Sequence, residues 1–153
     1  MSSLMGKFMI LALGACCLVG CDDSKTEAKR EAAPSLYGTE WELEMESLPG
    51  VDKNWNKPEK DITLVIAEDG SVSGNGGVNR YFSGENTVTV DESAGTIKFA
   101  PMATTMMAGP GMDYETLYLQ TIADVDGFKI VNDELTLMKN GMPVAVFDAE
   151  NVD

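Results

Sequence analysis

The sequence contains no histidine, and its three cysteines, Cys16, Cys17 and Cys21, all fall at its N-terminal end. Beyond Cys21 there is neither an imidazole nor a thiol. The commonest general base and the commonest activated nucleophile pairs are therefore absent, as are a disulfide and any thiolate metal site. Basic residues are also scarce, with 11 Lys and Arg against 25 Asp and Glu and a formal net charge of −14. That balance excludes a nucleic-acid partner, because phosphate binding needs clustered Lys and Arg. Carboxylates remain, but glycosidase-like chemistry needs two of them at a defined separation across a cleft, and no pair stands out among so many. The sequence reads as a non-enzyme without a cofactor or a resident metal.

What is present begins with an address. Met1 to Lys7 carries one positive charge, Phe8 to Val19 is an apolar run broken only by Gly14, and Gly20 precedes Cys21. This is the layout of a secretory signal peptide, and the run is too short for the roughly 20 residues of a membrane-spanning helix. Leu18-Val19-Gly20-Cys21 resembles the bacterial lipobox, so residues 1–20 are expected to be removed and Cys21 to become the lipid attachment site. The alternatives are an ordinary cleaved signal with a chance cysteine, or a buried apolar helix. Each buried methylene contributes about 0.8 kcal/mol, so two or three acyl chains on one residue hold a domain stably at a membrane. The expected location is the cell envelope, lipid-anchored and facing the periplasm or exterior; Asp22 and Asp23 favour the inner membrane. With its sulfur occupied, Cys21 leaves the mature chain no free thiol.

Residues 21–35 form the second unit. Asp22, Asp23, Lys25, Glu27, Lys29, Arg30 and Glu31 are interleaved with small polar residues and followed by Pro34, with no apolar face of either period. Such a segment reads as a flexible tether, with a short solvated helix as the alternative. Residues 36–153 form the globular unit and keep most of the negative charge. A cationic envelope protein is an allowed partner for that surface, and nothing argues for more than a monomer.

The globular unit reads as mainly β with one helix. Trp41, Leu43 and Met45 alternate with Glu40, Glu42, Glu44 and Glu46, the period of a half-buried strand with an acidic outer face. Further short strands are expected at Ile62–Ile66, from Ser71 through a glycine-rich re-aiming at 74–77 to Ser83, at Thr87–Val90 and at Thr96–Phe99. Tyr114, Leu117, Tyr118, Thr121, Ile122 and Val125 recur at helical spacing, with Asp113 placed to cap the N-terminus and Gly127 the C-terminus. Strands at Phe128–Val131, Glu134–Met138 and Pro143–Phe147 follow, turned at Asn132-Asp133 and Asn140-Gly141. The expectation is a small curled antiparallel sheet or partly closed β-barrel of about seven to eight strands, with the helix packed across it.

Several motifs resemble a known family in order and spacing: Gly38-Thr39-x-Trp41-x-Leu43, Gly76-Gly77-Val78-Asn79-Arg80-Tyr81, Thr104-Thr105-Met106-Met107-Ala108-Gly109-Pro110, Glu115, and a last strand ending Val146-Phe147. Over Tyr37 to Asp148 the chain resembles the META domain, or HslJ-like, family. The resemblance implies a small β-domain, often an envelope lipoprotein associated with heat or antibiotic stress. It sets no reaction or ligand. Members of the family often carry Cys where this chain has Val78 and Gly109, so a redox role implied by such a pair does not carry over.

The candidate sites are few. Asn79, Arg80 and Tyr81 follow a glycine-rich turn and could line a ligand-binding mouth, or be a turn amide, a surface charge and a core-edge aromatic. Met102, Met106, Met107 and Met112 offer thioethers that suit Cu(I), but without His or thiol they read better as adaptable packing. Asp124, Asp126 and Gly127 have a calcium-loop look without the rest of the loop. Two functions stand out: a protein-interaction or stress-protective module of the envelope, and a small hydrophobic-ligand or lipid-binding barrel.

Overall fold

The computed structural model describes residues 33–150. The expected signal peptide, Cys21 and most of the expected tether lie outside the described residues. Ten strands, all paired antiparallel, make one curled half-barrel sheet: β1 Glu40–Leu43, β2 Thr63–Ile66, β3 Val72–Asn75, β4 Arg80–Phe82, β5 Val88–Asp91, β6 Thr96–Phe99, β7 Ala103–Thr104, β8 Gly127–Val131, β9 Glu134–Lys139 and β10 Met142–Ala149. A helix, α1, spans Met112–Ala123 between β7 and β8 and lies against β6 and β10. The strand order is β5-β6-β8-β9-β10-β1-β2-β3-β4-β7, which places the first and last strands side by side.

Alternation builds this sheet as the sequence predicts. Trp41, Leu43, Leu64, Ile66, Leu135, Leu137 and Phe147 point inward and are buried, and the helix adds Tyr114, Tyr118 and Ile122. The space between helix and sheet is filled, with Trp41, Tyr81, Tyr118 and Phe147 the largest side chains in it. One hollow open to the surface, of about 430 Å³, runs from Pro34, Ser35 and Leu36 to Phe128 and Ile130. Pro34 and Ser35, expected to end the tether, already rest on the domain, where the Ser35 hydroxyl accepts the Tyr37 N–H at 3.1 Å.

The hairpin turns follow their local chemistry. Asn140 and Gly141 both have positive φ, 51° and 75°, as a two-residue turn between right-twisted strands requires. Two strands more than expected are present. The stretch read as one re-aimed strand is the β3–β4 hairpin, and β7, only two residues long, is too short to show a period.

The helix ends also differ from expectation. Asp113 lies inside the first turn, because Gly111, with φ of 93°, breaks the chain one residue earlier. The helix stops at Ala123, and Gly127 instead opens β8, where the neighbouring Phe128 N–H donates to the Gly95 carbonyl at 2.9 Å. The Asp126 carboxylate accepts the Asn140 N–H at 3.0 Å and ties down the β9–β10 turn, which accounts for an acid at that position. No cluster of acids able to hold a metal ion is found among the described residues.

Candidate functional site

The quoted motifs converge on one polar cluster at the end of the half-barrel. The β3–β4 turn, residues 76–79, leads the chain over the first turns of α1. The Glu115 carboxylate on that helix accepts three hydrogen bonds from it: Asn79 N–H at 2.6 Å and Val78 N–H at 3.1 Å to Oε2, and Asn79 Nδ2 at 2.8 Å to Oε1. Burying a carboxylate is costly unless donors surround it, and here two come from the backbone. Gly76 is needed for this approach, since a Cβ there would lie 2.8 Å from Glu115 Cγ and Oε2.

Asn79 is the hub. Its Oδ1 accepts the Met107 N–H at 2.7 Å and the Thr105 hydroxyl at 2.8 Å, while Nδ2 also donates to the Met107 carbonyl at 3.0 Å. A single amide thereby pins three pieces of chain: the β3–β4 turn, the segment after β7, and α1. All its hydrogen-bonding groups are used, and no buried side-chain polar atom among the described residues lacks a partner. The loop before β2 covers the cluster from outside, where Pro58 packs against Gly77. Trp55 from the same loop meets Tyr114 of the helix edge to face.

One layer deeper, the Tyr81 hydroxyl donates to the Thr63 carbonyl at 2.6 Å and accepts from the Tyr118 hydroxyl at 2.7 Å. Burial pushes both phenols well above the ordinary tyrosine value. Gly74, opposite Tyr81 in the register, leaves the room that this phenol fills.

Arg80 and Tyr81 line one open hollow with Ser73, Gly74, Phe82 and Thr105, and Asn79 is not among its lining residues. Asn79 and Tyr81 are buried and fully bonded, whereas Arg80 alternates to the outer face and is exposed. The four methionines sit in different surroundings: Met102 packs against the core, Met106 stands in solvent, Met107 is bound through its backbone by Asn79, and Met112 places its sulfur 3.8 Å from Asn79 Nδ2. Val78 and Gly109, by contrast, are neighbours; a Cβ built on Gly109 falls 3.3 Å from Val78 Cγ1. The buried Glu115, and Thr105 whose hydroxyl bonds Asn79, carry no signal in local patterning beyond their place in the motifs.

Outside, the sheet presents acid. Cross-strand register sets Glu134, Asp148 and Glu42 in one row over β9, β10 and β1. Like charges directly opposite one another repel. The Glu42 carboxyl is pushed up to about 7 by a hydrogen bond with Glu150, by partial desolvation and by Asp61, Glu150 and Asp148. The ion pair found among the described residues, Lys57 with Glu46 at 3.6 Å, is exposed and contributes little.

Comparison with known proteins agrees with the curled sheet. Residues 34–151 match the META domain. The chain belongs to the META domain family. An NMR structure of a protein from Burkholderia xenovorans is similar, with a TM-score of 0.53 and 21% identity over 78% of this chain and 93% of that one. At that identity the likeness concerns the fold alone. No curated protein matches the sequence.

Proposed function

We propose that this META-domain chain is a non-enzymatic envelope lipoprotein, anchored through Cys21, whose domain serves as a protein-interaction or stress-protective module by presenting its acidic outer face to a cationic partner. The observation that carries the reading is the row Glu134–Asp148–Glu42 with its raised Glu42 carboxyl. A folded surface that holds unpaired like charges this close forgoes stability, and a basic partner would relieve the repulsion. The buried polar groups support the same view, since each is used in holding the fold.

Recovery of partners from membrane extracts tests the proposal. The full chain should retain a basic protein that the triple variant Glu134→Gln/Asp148→Asn/Glu42→Gln loses, and equal recovery by both would refute the acidic face. Cys21→Ser should abolish acylation and release the chain from membranes; normal anchoring of that variant would refute the lipoprotein reading.

The alternative, a barrel that binds a small hydrophobic ligand or lipid, has lost the open interior that would favour it, because the space under the helix is packed with side chains. Native mass spectrometry of the chain showing a retained apolar ligand would revive it.

A further inference from the structure

Methionine is normally a filler of irregular core space, and three methionines of residues 33–150 behave so: Met45 and Met102 pack against the core and Met138 is half-buried in β9. Met106 and Met107 do the opposite. Their exposures are 98% and 54%. They do not hang from a frayed loop, for the backbone that carries them is fastened. Thr105 N–H donates to the Arg80 carbonyl at 3.0 Å, and both the N–H and the carbonyl of Met107 are bound by the Asn79 amide. A buried, saturated polar hub thus holds two adjacent thioethers out into water.

These residues are also chemically distinctive. With no cysteine and no histidine in residues 33–150, thioethers are the only sulfur nucleophiles of the domain. We propose that Met106 and Met107 form an oxidant-accepting site, which takes oxygen from small neutral oxidants of the peroxide class and is restored by methionine sulfoxide reductases. The sulfur lone pair attacks one peroxide oxygen, an S–O bond forms as the O–O bond breaks, and proton transfer to the leaving oxygen releases water. Sulfur loses two electrons and the peroxide gains them. Reductase dithiols reverse the change, yielding thioether, disulfide and water. A neutral oxidant is unaffected by the charge of −14 that would repel an anionic one.

The geometry also sets an order. Met142, 64% exposed at the β9–β10 turn, is a lone thioether of the same accessibility. Met112 is 37% exposed and its sulfur faces Asn79 Nδ2, which holds back its lone pair, so it follows. Met45, Met102 and Met138 come last. Oxygen added at Met106 meets only solvent, and Met107 keeps over half of its surface exposed beside an open hollow, so the fold survives it.

The test is graded hydrogen peroxide on the full chain in detergent, read by peptide mass spectrometry, near-ultraviolet circular dichroism and thermal melting. Met106 and Met107 should become sulfoxides about ten-fold or more faster than Met45, Met102 and Met138, with spectrum and Tm unchanged, and a sulfoxide reductase should restore them. Met106→Leu/Met107→Leu should fold normally and lose the corresponding share of the fast oxygen uptake. Equal rates at exposed and sheltered methionines, loss of Tm in step with oxidation at Met106 and Met107, or undiminished fast uptake in the double variant would each overturn the site.

Discussion

Replacing Asn79 with Ala would strip partners from Glu115 Oε1, the Thr105 hydroxyl and both backbone groups of Met107 in one step. Buried polar groups left unpaired cost about 1–3 kcal/mol each and partly recover water where the site is open, so a loss of roughly 2–4 kcal/mol is expected by urea denaturation. Gly76→Ala should cost a comparable amount by driving a methyl into the Glu115 carboxylate. Glu42 gives a pH signature at the same scale. Its folded carboxyl is pushed up to about 7 from an ordinary 4.5, so between these values the folded state holds a proton that the unfolded state has released. Stability should therefore fall as pH rises from about 4.5 to 7, and the Glu42 contribution levels off above that. Glu42→Gln should flatten that slope in melts run across the window; an unchanged slope would mean that the carboxyls around Glu42 do not act on it.

Among the elements, those with several residues of clear period and a glycine or asparagine turn were legible in the sequence. β2, β6 and β9 fall within a residue of expectation, and the Asn140-Gly141 turn has the predicted conformation. The β3–β4 hairpin was not, because its turn is shaped by Glu115, which lies 36 residues beyond Asn79 and leaves no trace in local spacing. The helix start was misplaced for a similar reason: Gly111 must let Pro58 approach, a contact that only the folded chain reveals. The same tertiary meeting makes a prediction. Val78 and Gly109 stand close enough that Val78→Cys/Gly109→Cys should form a disulfide under oxidising conditions, closing a loop of about 30 residues and adding roughly 2–4 kcal/mol. Gly109 does not have positive φ, so the new Cβ brings no backbone strain. A mass shift of two hydrogens and a higher urea midpoint without reductant would verify it; free thiols after oxidation would refute the proximity.

At the scale of the molecule, net charge couples stability and recognition in opposite senses. Self-repulsion among the 25 acids is screened by salt, so moving from low to physiological ionic strength should stabilise the chain by about 1 kcal/mol, or about 4 °C in Tm. Retention of a basic partner should weaken over the same range. A Tm that does not move would mean that the carboxylates are too widely spread to repel.

The strand order has one more consequence. β1 lies between β10 and β2, so the first of the described strands to be synthesised waits for the last of them before its second edge is covered. Until Met142–Ala149 arrives, β1 and β9 each offer a bare row of backbone donors and acceptors. Arrival of β10 and closure of the middle of the sheet are thus a single event. A chain truncated before β10 would present open sheet edges at β1 and β9, the form that proteases and chaperones recognise.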